Sequence, residues 1–324
     1  MRTSRQRAPV ASTAPSTCTR ATPAKSSVCW PSAKPRHPPE YSTCRPRRER
    51  RRHVQEVGRH RQGGTRLNET LGFSHQRVQQ LRRLLARRSA RVEESAFVVE
   101  GAVLIDEAVR GGWDVLAQFV SGDAVAVGGC DAPVFVLGDG VLERVASTES
   151  PQPNLAIVSR RTSSLARLEP AAVGSSPWAV FLDAVSDPGN LGTILRSAEA
   201  MGAAGVVLGA GTVDPFNPKV VRASAGALFH VPVVEGATLA EVKSLGYRVL
   251  ATSSHEQAGS KSLAEVDLGG AVCVVLGSEA HGVSTELASS VDGWIRIDHA
   301  GRAESLNVAM AATIISYELA RARS

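Results

Sequence analysis

The sequence predicts an α/β fold, and three observations support this. Short apolar runs alternate with helix-like patterns from about Phe73 to the C-terminus. The later runs, such as those around Val180 and Val274, are continuously apolar, which is typical of a parallel sheet covered on both faces. Glycines and acidic residues follow several of these runs, where such sheets bind ligands. We therefore expect a C-terminal parallel-sheet domain preceded by a smaller α/β domain.

The first 66 residues of the 324 differ in composition from the rest. They contain 16 Lys and Arg against 3 Asp and Glu, whereas the remaining residues contain 21 against 28. They are also rich in Pro, Ser and Thr, carry the run RPRRERRR at 45–52, and lack apolar periodicity. We predict that 1–66 is a disordered basic tail that attracts phosphates. The alternative is a mis-assigned start, in which case the native protein begins near Leu67.

Bulk composition excludes several classes of protein. Apolar stretches such as 271–277 are too short to cross a bilayer, and none has a signal-peptide layout. The five cysteines include no CxxC pair, so neither a zinc site nor a disulfide scaffold is predicted. We expect a cytoplasmic protein with no metal and no membrane partner.

The smaller domain is predicted to span 67–167. It opens with a helix over 74–94, in which Val78, Leu81, Leu84 and Leu85 recur at helical spacing opposite several arginines. Helices are then predicted at GAVLIDEAVRGG (101–112) and GVLERVAST (140–148), and strands at AFVVEG (96–101), VLAQFVSG (115–122), PVFVLGD (133–139) and LAIVSRR (155–161). A linker is predicted at 168–177.

The larger domain is predicted to span 178–324. Its strands are expected at WAVFLDAV, GVVLGA, YRVLATS, AVCVVLGS and GWIRID. Its helices are expected at LGTILRSAEAMG, NPKVVRASAGALF, ATLAEVKSLG, STELASS and SLNVAMAATIISYELARAR.

Three loops of this domain contain chemically unusual residues, although each has a structural explanation. Asn190 follows the first strand and Ser305 precedes the last helix, so either side chain could simply be an N-cap. Gly277 could simply be a residue that a tight turn requires. The periodicity places Arg196 on the polar side of its helix. A dinucleotide-binding interpretation of Gly209-x-Gly211 is weak, because the third glycine is missing.

Together these loops are more specific. DPGNLGTILRSAEAMGA (187–203), LGSEAHGVS (276–284) and ESLNVAMAA (304–312) resemble the three signature motifs of the SpoU (TrmH-like) family of RNA ribose 2′-O-methyltransferases. The stretch 215–233 is also similar to this family, and 74–161 is more weakly similar to the L30e-like RNA-binding domain that precedes the catalytic domain in many members.

The resemblance implies a deep C-terminal trefoil knot that holds S-adenosylmethionine, and a homodimer with the site near its interface. It implies that the methyl group passes to a ribose 2′-hydroxyl at a site lined by Asn190, Arg196, Glu279, Ser305 and Asn307. We expect Arg196 to clamp an RNA phosphate and stabilise the developing alkoxide, because a guanidinium is a poor base. Carried over by motif, the residues that bind the cofactor are Thr252, Ser253, Leu276, Gly277, Ile297 and Leu306.

The leading domain favours rRNA as the substrate, and we expect the 23S species. The alternatives are tRNA ribose methylation and a non-catalytic RNA-binding protein of ribosome assembly. The body is acidic, so a local basic patch must meet the RNA. The arginines predicted to do so are Arg77, Arg82, Arg83, Arg87, Arg88, Arg160, Arg161 and Arg222.

Overall fold

The computed structural model describes residues 70–146, 148–173, 176–253 and 259–323. The basic segment 1–66, for which a disordered tail or a mis-assigned start was predicted, lies outside these residues. The described part is an α/β structure with two sheets, as the sequence predicts. We refer to residues 70–173 as the N-terminal half and to 176–323 as the C-terminal half.

The N-terminal half is built on a mixed five-stranded sheet with the order β1-β4-β3-β5-β2. β1 pairs with β4 and β4 with β3 in parallel, whereas β5 runs antiparallel to both β3 and β2. The strands are β1 (Thr70–Leu71), β2 (Ala96–Glu100), β3 (Val115–Ser121), β4 (Val134–Leu137) and β5 (Asn154–Ser159). The helices are α1 (Gln76–Ala86), α2 (Arg88–Glu93), α3 (Ala102–Arg110) and α4 (Val141–Val145).

The opening helix differs from the prediction, because it is broken. Arg87 adopts extended backbone angles between α1 and α2. Val78, Leu81 and Leu84 are fully buried, as the periodicity predicts, and Leu85 is half-buried. The break turns α2 so that Arg91 also becomes buried. The pattern 74–94 contains no Pro or Gly to mark this change of direction.

The C-terminal half contains a seven-stranded sheet with the order β10-β12-β9-β11-β6-β7-β8. Every neighbouring pair is parallel, which confirms the prediction from the continuous apolar runs. The strands are β6 (Trp178–Leu182), β7 (Gly205–Leu208), β8 (Val233–Glu235), β9 (Arg248–Thr252), β10 (Ser260–Ser262), β11 (Val272–Leu276) and β12 (Gly293–Arg296). The sequence did not predict β1, β8 or β10, because two or three residues show no period.

Helices of the C-terminal half follow their strands. After a short α5 (Pro170–Val173) come α6 (Pro188–Ala200), α7 (Pro218–Ala223), α8 (Leu239–Ser244), α9 (Thr285–Ala288) and α10 (Val308–Arg321). α6 packs closely on α7, since a Cβ on Gly192 would lie 2.4 Å from Ala223 Cβ. The threading of the C-terminal segment into a trefoil knot stays a prediction.

The two halves share one apolar core. The rings of Phe97 and Phe216 lie 4.8 Å apart between centroids, and Trp113 Nε1 donates to Phe229 O at 2.9 Å. Leu168, in the segment predicted to be a linker, is fully buried, and Tyr247 Oη donates to its carbonyl at 2.6 Å. The domain boundaries at 67, 168 and 178 stay predictions. None of the described helices has the length and apolar character needed to cross a membrane.

Candidate active site

A pocket of about 580 Å³ opens at the carboxyl edge of the C-terminal sheet. Because all seven strands run in the same direction, the loops after β9, β11 and β12 meet at this edge. The pocket has apolar walls from Leu263 and Ile295 and is closed on one side by the start of α10. The six residues predicted to bind the cofactor all line it: Thr252, Ser253, Leu276, Gly277, Ile297 and Leu306.

Gly277 is required by a close approach of two backbone segments. A Cβ built on Gly277 would lie 2.0 Å from the carbonyl carbon of Gly282 and 2.1 Å from Val283 N. The loop is closed by paired hydrogen bonds, in which Ser278 N donates to Gly282 O at 3.0 Å and Gly282 N to Ser278 O at 2.9 Å. Gly282 itself has a φ of +68°, which favours glycine. The motif therefore forms a tight turn that presents Glu279 at the pocket.

Asn190, Glu279 and Asn307 form one hydrogen-bonded network. Asn190 Nδ2 donates to Glu279 Oε1 at 2.6 Å, and Asn307 Nδ2 donates to Asn190 Oδ1 at 3.1 Å. Asn190 lies in the first turn of α6, Glu279 in the loop after β11, and Asn307 at the N-cap of α10. In sequence, 117 positions separate Asn190 from Asn307. Both the oxygen and the nitrogen of the Asn190 amide are engaged, so its orientation is fixed. We call this cluster the amide–carboxylate network.

The N-cap explanation for Asn190 is wrong, because Asp187 occupies that position. Asp187 Oδ1 accepts the backbone N–H of Asn190 at 2.9 Å, and Pro188 follows it as the first helical residue. Asn307, rather than Ser305, caps α10, since its Oδ1 accepts from Ala309 N at 2.9 Å. Asp187 thus leaves the Asn190 side chain to reach the other two loops.

Hydrogen bonding lowers the pKa of Glu279. Burial raises the pKa of this carboxyl, but the hydrogen bond from Asn190 and backbone N–H groups of Glu279, Ser186 and Asp187 outweigh burial, so the pKa lies below its usual value. The pKa of Asp187 is also lowered, first by the backbone N–H of Asn190 and then by Lys219. Asp183, which sequence reasoning missed, connects the same loops through its acceptance of Ser284 N at 2.7 Å.

Ser305 and Arg196 occupy different positions relative to the network. Ser305 is exposed and lines the pocket. Arg196 is exposed on α6, as the periodicity predicts, and does not line the pocket. Its side chain has no hydrogen bond or ion pair to any residue that the structure describes. The neighbouring α10 exposes an apolar stripe of Met310, Ile314 and Tyr317, of which Met310 is the most exposed at 63%.

The weak dinucleotide-binding interpretation is not supported by the contacts of its residues. Gly209 packs against Leu182 O and the ring of Phe181, which explains the absence of a side chain there. Asp214 is buried and forms an ion pair of 2.8 Å with Arg91. Its carboxylate is therefore committed to a contact between the two halves.

The arginines predicted to bind RNA divide into two groups. Within the described ranges, the first group has an acidic partner within 4.0 Å and the second has none. The first comprises Arg83 with Glu94, Arg88 and Arg160 with Glu235, and Arg222 with Glu100, and the second Arg77, Arg82, Arg87 and Arg161. Arg161 lies over the ring of Trp113 and donates to two carbonyl oxygens.

Family models match both halves of the chain. Residues 177–317 match the SpoU rRNA Methylase family, and residues 75–156 match the MRM3-like substrate binding domain.

Two curated relatives are similar over most of their length. The chain is 31% identical to the 23S rRNA (guanosine(2553)-2′-O)-methyltransferase RlmP of Bacillus subtilis over 250 residues, 76% of this chain and 96% of the relative. It is 30% identical to the 23S rRNA (uridine(2479)-2′-O)-methyltransferase of Streptomyces viridochromogenes over 262 residues, 76% of this chain and 90% of the relative.

The chain is also similar to solved methyltransferase structures over most of their length. The AdoMet-bound rRNA methyltransferase from Sinorhizobium meliloti superimposes with a TM-score of 0.68 at 29% identity, over 78% of this chain and 97% of that one. The SpoU methyltransferase AviRb from Streptomyces viridochromogenes, in complex with AdoMet, gives a TM-score of 0.69 at 29% identity, over 77% and 98%.

Proposed function

The chain belongs to the SpoU rRNA methylase family, and we propose that it is an S-adenosylmethionine-dependent enzyme that methylates a ribose 2′-hydroxyl of 23S rRNA. The amide–carboxylate network at the mouth of the pocket is the observation that carries the proposal. Three polar side chains from distant parts of the chain meet in it, next to Leu306, which the resemblance assigns to the cofactor.

The pocket residues fit S-adenosylmethionine. Leu276, Ile297 and Leu306 give an apolar slot for a flat heterocycle, and the strand ends at Thr252 and Gly277 bring backbone groups close. Bound there, the cofactor supplies an electrophilic methyl group on sulfonium.

The residues of this chain then have to position the ribose and assist the loss of its proton. Glu279 orients Asn190 through the 2.6 Å hydrogen bond that its Oε1 accepts. The ribose and the adjacent RNA backbone are held by Asn190, Asn307 and Ser305. Arg196 acts on the adjacent phosphate and on the developing alkoxide.

We propose that the active form is a homodimer, which accounts for the position of Arg196. The stripe of Met310, Ile314 and Tyr317 on α10 lies beside α6, where Ser197 and Thr313 hydroxyl oxygens are 2.7 Å apart. A second copy that covers this stripe would bring the exposed Arg196 to an interface. Replacing Ile314 with Glu should yield monomers in sedimentation analysis and lower activity; a variant that stays dimeric would contradict this interface.

The main test is methylation of separately purified 23S rRNA, 16S rRNA and tRNA with methyl-labelled S-adenosylmethionine. We expect label in 23S rRNA, at a position where alkaline hydrolysis of the backbone is blocked. Label in tRNA alone would favour the tRNA alternative, and no label with unimpaired RNA binding would favour the non-catalytic one. Asn190→Ala should lower kcat/KM by about a hundredfold, whereas Thr193→Ala, one turn further along α6, should stay near wild type.

A further inference from the structure

Two guanidinium groups lie over one aromatic ring on the surface of the N-terminal half. The Arg82 guanidinium carbon lies 4.7 Å from the centre of the Phe73 ring, and that of Arg144 lies 3.8 Å from it. Both arginines are exposed and Phe73 is half-buried. We call this set the guanidinium–phenyl stack. Nearby, Arg77 lies over the ring of Phe135 at 5.7 Å.

The positive charge of the stack is not neutralised. Neither Arg82 nor Arg144 has a carboxylate within ion-pair distance in the part of the chain that the structure describes. Arg83, the next residue on the same helix, instead pairs with Glu94 at 3.1 Å. The stack is thus a concentrated positive site on a body whose overall balance is acidic.

Local hydrogen bonds hold the stack in place. Gln79 Nε2 donates to Phe73 O at 2.6 Å, and Gln79 Oε1 accepts from Arg82 Nη1 at 3.0 Å. The Gln79 side chain therefore connects the backbone of Phe73 to the guanidinium of Arg82. Such a group loses less conformational entropy on binding than a free surface arginine does.

The chemistry of the stack fits an unpaired nucleotide. A guanidinium plane stacks on a nucleobase and also attracts phosphate, and an unpaired nucleotide offers both groups at once. An RNA duplex offers phosphates, 2′-hydroxyls and base edges, but it hides the base faces on which a guanidinium would stack. We propose that Arg82, Phe73 and Arg144 form a contact for an unpaired nucleotide of the RNA substrate, an inference that rests on the proposed function.

The adjacent arginines Arg82 and Arg83 provide a matched comparison. Arg82→Gln and Arg83→Gln remove the same charge from the exposed face of α1, but only Arg82 belongs to the stack. Each full-length variant is titrated with oligo(A) and oligo(U) of about 15 nucleotides and with an RNA duplex of similar length. We expect Arg82→Gln to lose roughly tenfold in affinity for the single strands, and Arg83→Gln less than about twofold.

Phe73→Leu and Arg144→Gln test the stacking itself. Both should weaken single-strand binding more than duplex binding, while affinity for S-adenosylmethionine and thermal unfolding stay close to wild type. Equal losses for Arg82→Gln and Arg83→Gln, or equal losses on duplex and single strand, would overturn the proposal in favour of simple charge attraction. Such a result leaves the proposed function intact if wild type still methylates rRNA, whereas absence of methylation by wild type would refute that function instead.

Discussion

The two sheets place their polar side chains in different ways. In the C-terminal sheet all strands are parallel, so loops distant in sequence converge at one edge, and Asn190, Glu279 and Asn307 meet there. In the N-terminal sheet the strands are mixed, and the exposed arginines come from surface helices such as α1 and α4.

This difference determines what gives each region its specificity. At the carboxyl edge, direct hydrogen bonds between loops fix the side chains, so topology and motif together define the site. On the N-terminal half, the availability of an arginine depends on whether a carboxylate neutralises it. Two of those carboxylates, Glu235 and Asp214, belong to the C-terminal half.

The largest effect should come from breaking the buried ion pair in which a carboxylate of the C-terminal half neutralises an arginine of the N-terminal half. Arg91 and Asp214 are about 95% buried, 2.8 Å apart, and Arg91 also donates to Leu84 O at 2.7 Å. Arg91→Met would leave the Asp214 carboxylate buried without its cation, so we expect a loss of about 3–5 kcal/mol in the free energy of unfolding. Denaturant unfolding measures this loss.

The exposed pair supplies the control for that experiment. Arg83→Met removes the cation from Glu94 at the surface and should cost less than about 1 kcal/mol. Adding Asp214→Asn to Arg91→Met should recover part of the loss, because the amide oxygen can still accept from Phe216 N. An Arg91→Met protein as stable as Arg83→Met would contradict the anchoring role of the pair.

Much of the C-terminal half could be predicted from sequence, because its signals are local. Continuous apolar runs give parallel strands, and motif positions identify the residues that line the pocket, including Thr252 and Leu306. The break at Arg87, the burial of Arg91 and the neutralisation of Arg222 by Glu100 could not be predicted, because they depend on packing between distant segments. Phe73 and Arg144 were missed for the same reason: no spacing brings α1 and α4 together.

A second prediction concerns the tight turn at the carboxyl edge. Gly277→Ala would place a Cβ 2.0 Å from the backbone of Gly282, and no side-chain rotation can relieve that overlap. We expect the loop to shift and affinity for S-adenosylmethionine to fall about a hundredfold, or ~3 kcal/mol. Calorimetric titration of the cofactor measures this change.

A glycine of the N-terminal half gives the matched control. A Cβ on Gly128 would meet no atom within 4 Å, so Gly128→Ala should leave cofactor affinity unchanged. Similar behaviour of the two variants would show that the close approach at Gly277 does not shape the pocket.

The smallest expected effect separates the two regions by pH. The pKa of Glu279 is lowered from its ordinary value of 4.5. The contribution of its carboxylate to cofactor affinity is therefore complete above pH 4.5 and is lost as the pH falls through the lowered pKa. Asn190→Ala removes a donor to this carboxylate, so the acid midpoint for cofactor binding should move upward. RNA binding by the guanidinium–phenyl stack should not respond to Asn190→Ala, because Asn190 contacts Glu279 and is not part of the stack. Cofactor and oligonucleotide titrations over the same acid range test both statements. If Asn190→Ala leaves the acid midpoint of cofactor binding unchanged, the Asn190 amide does not lower the pKa of Glu279.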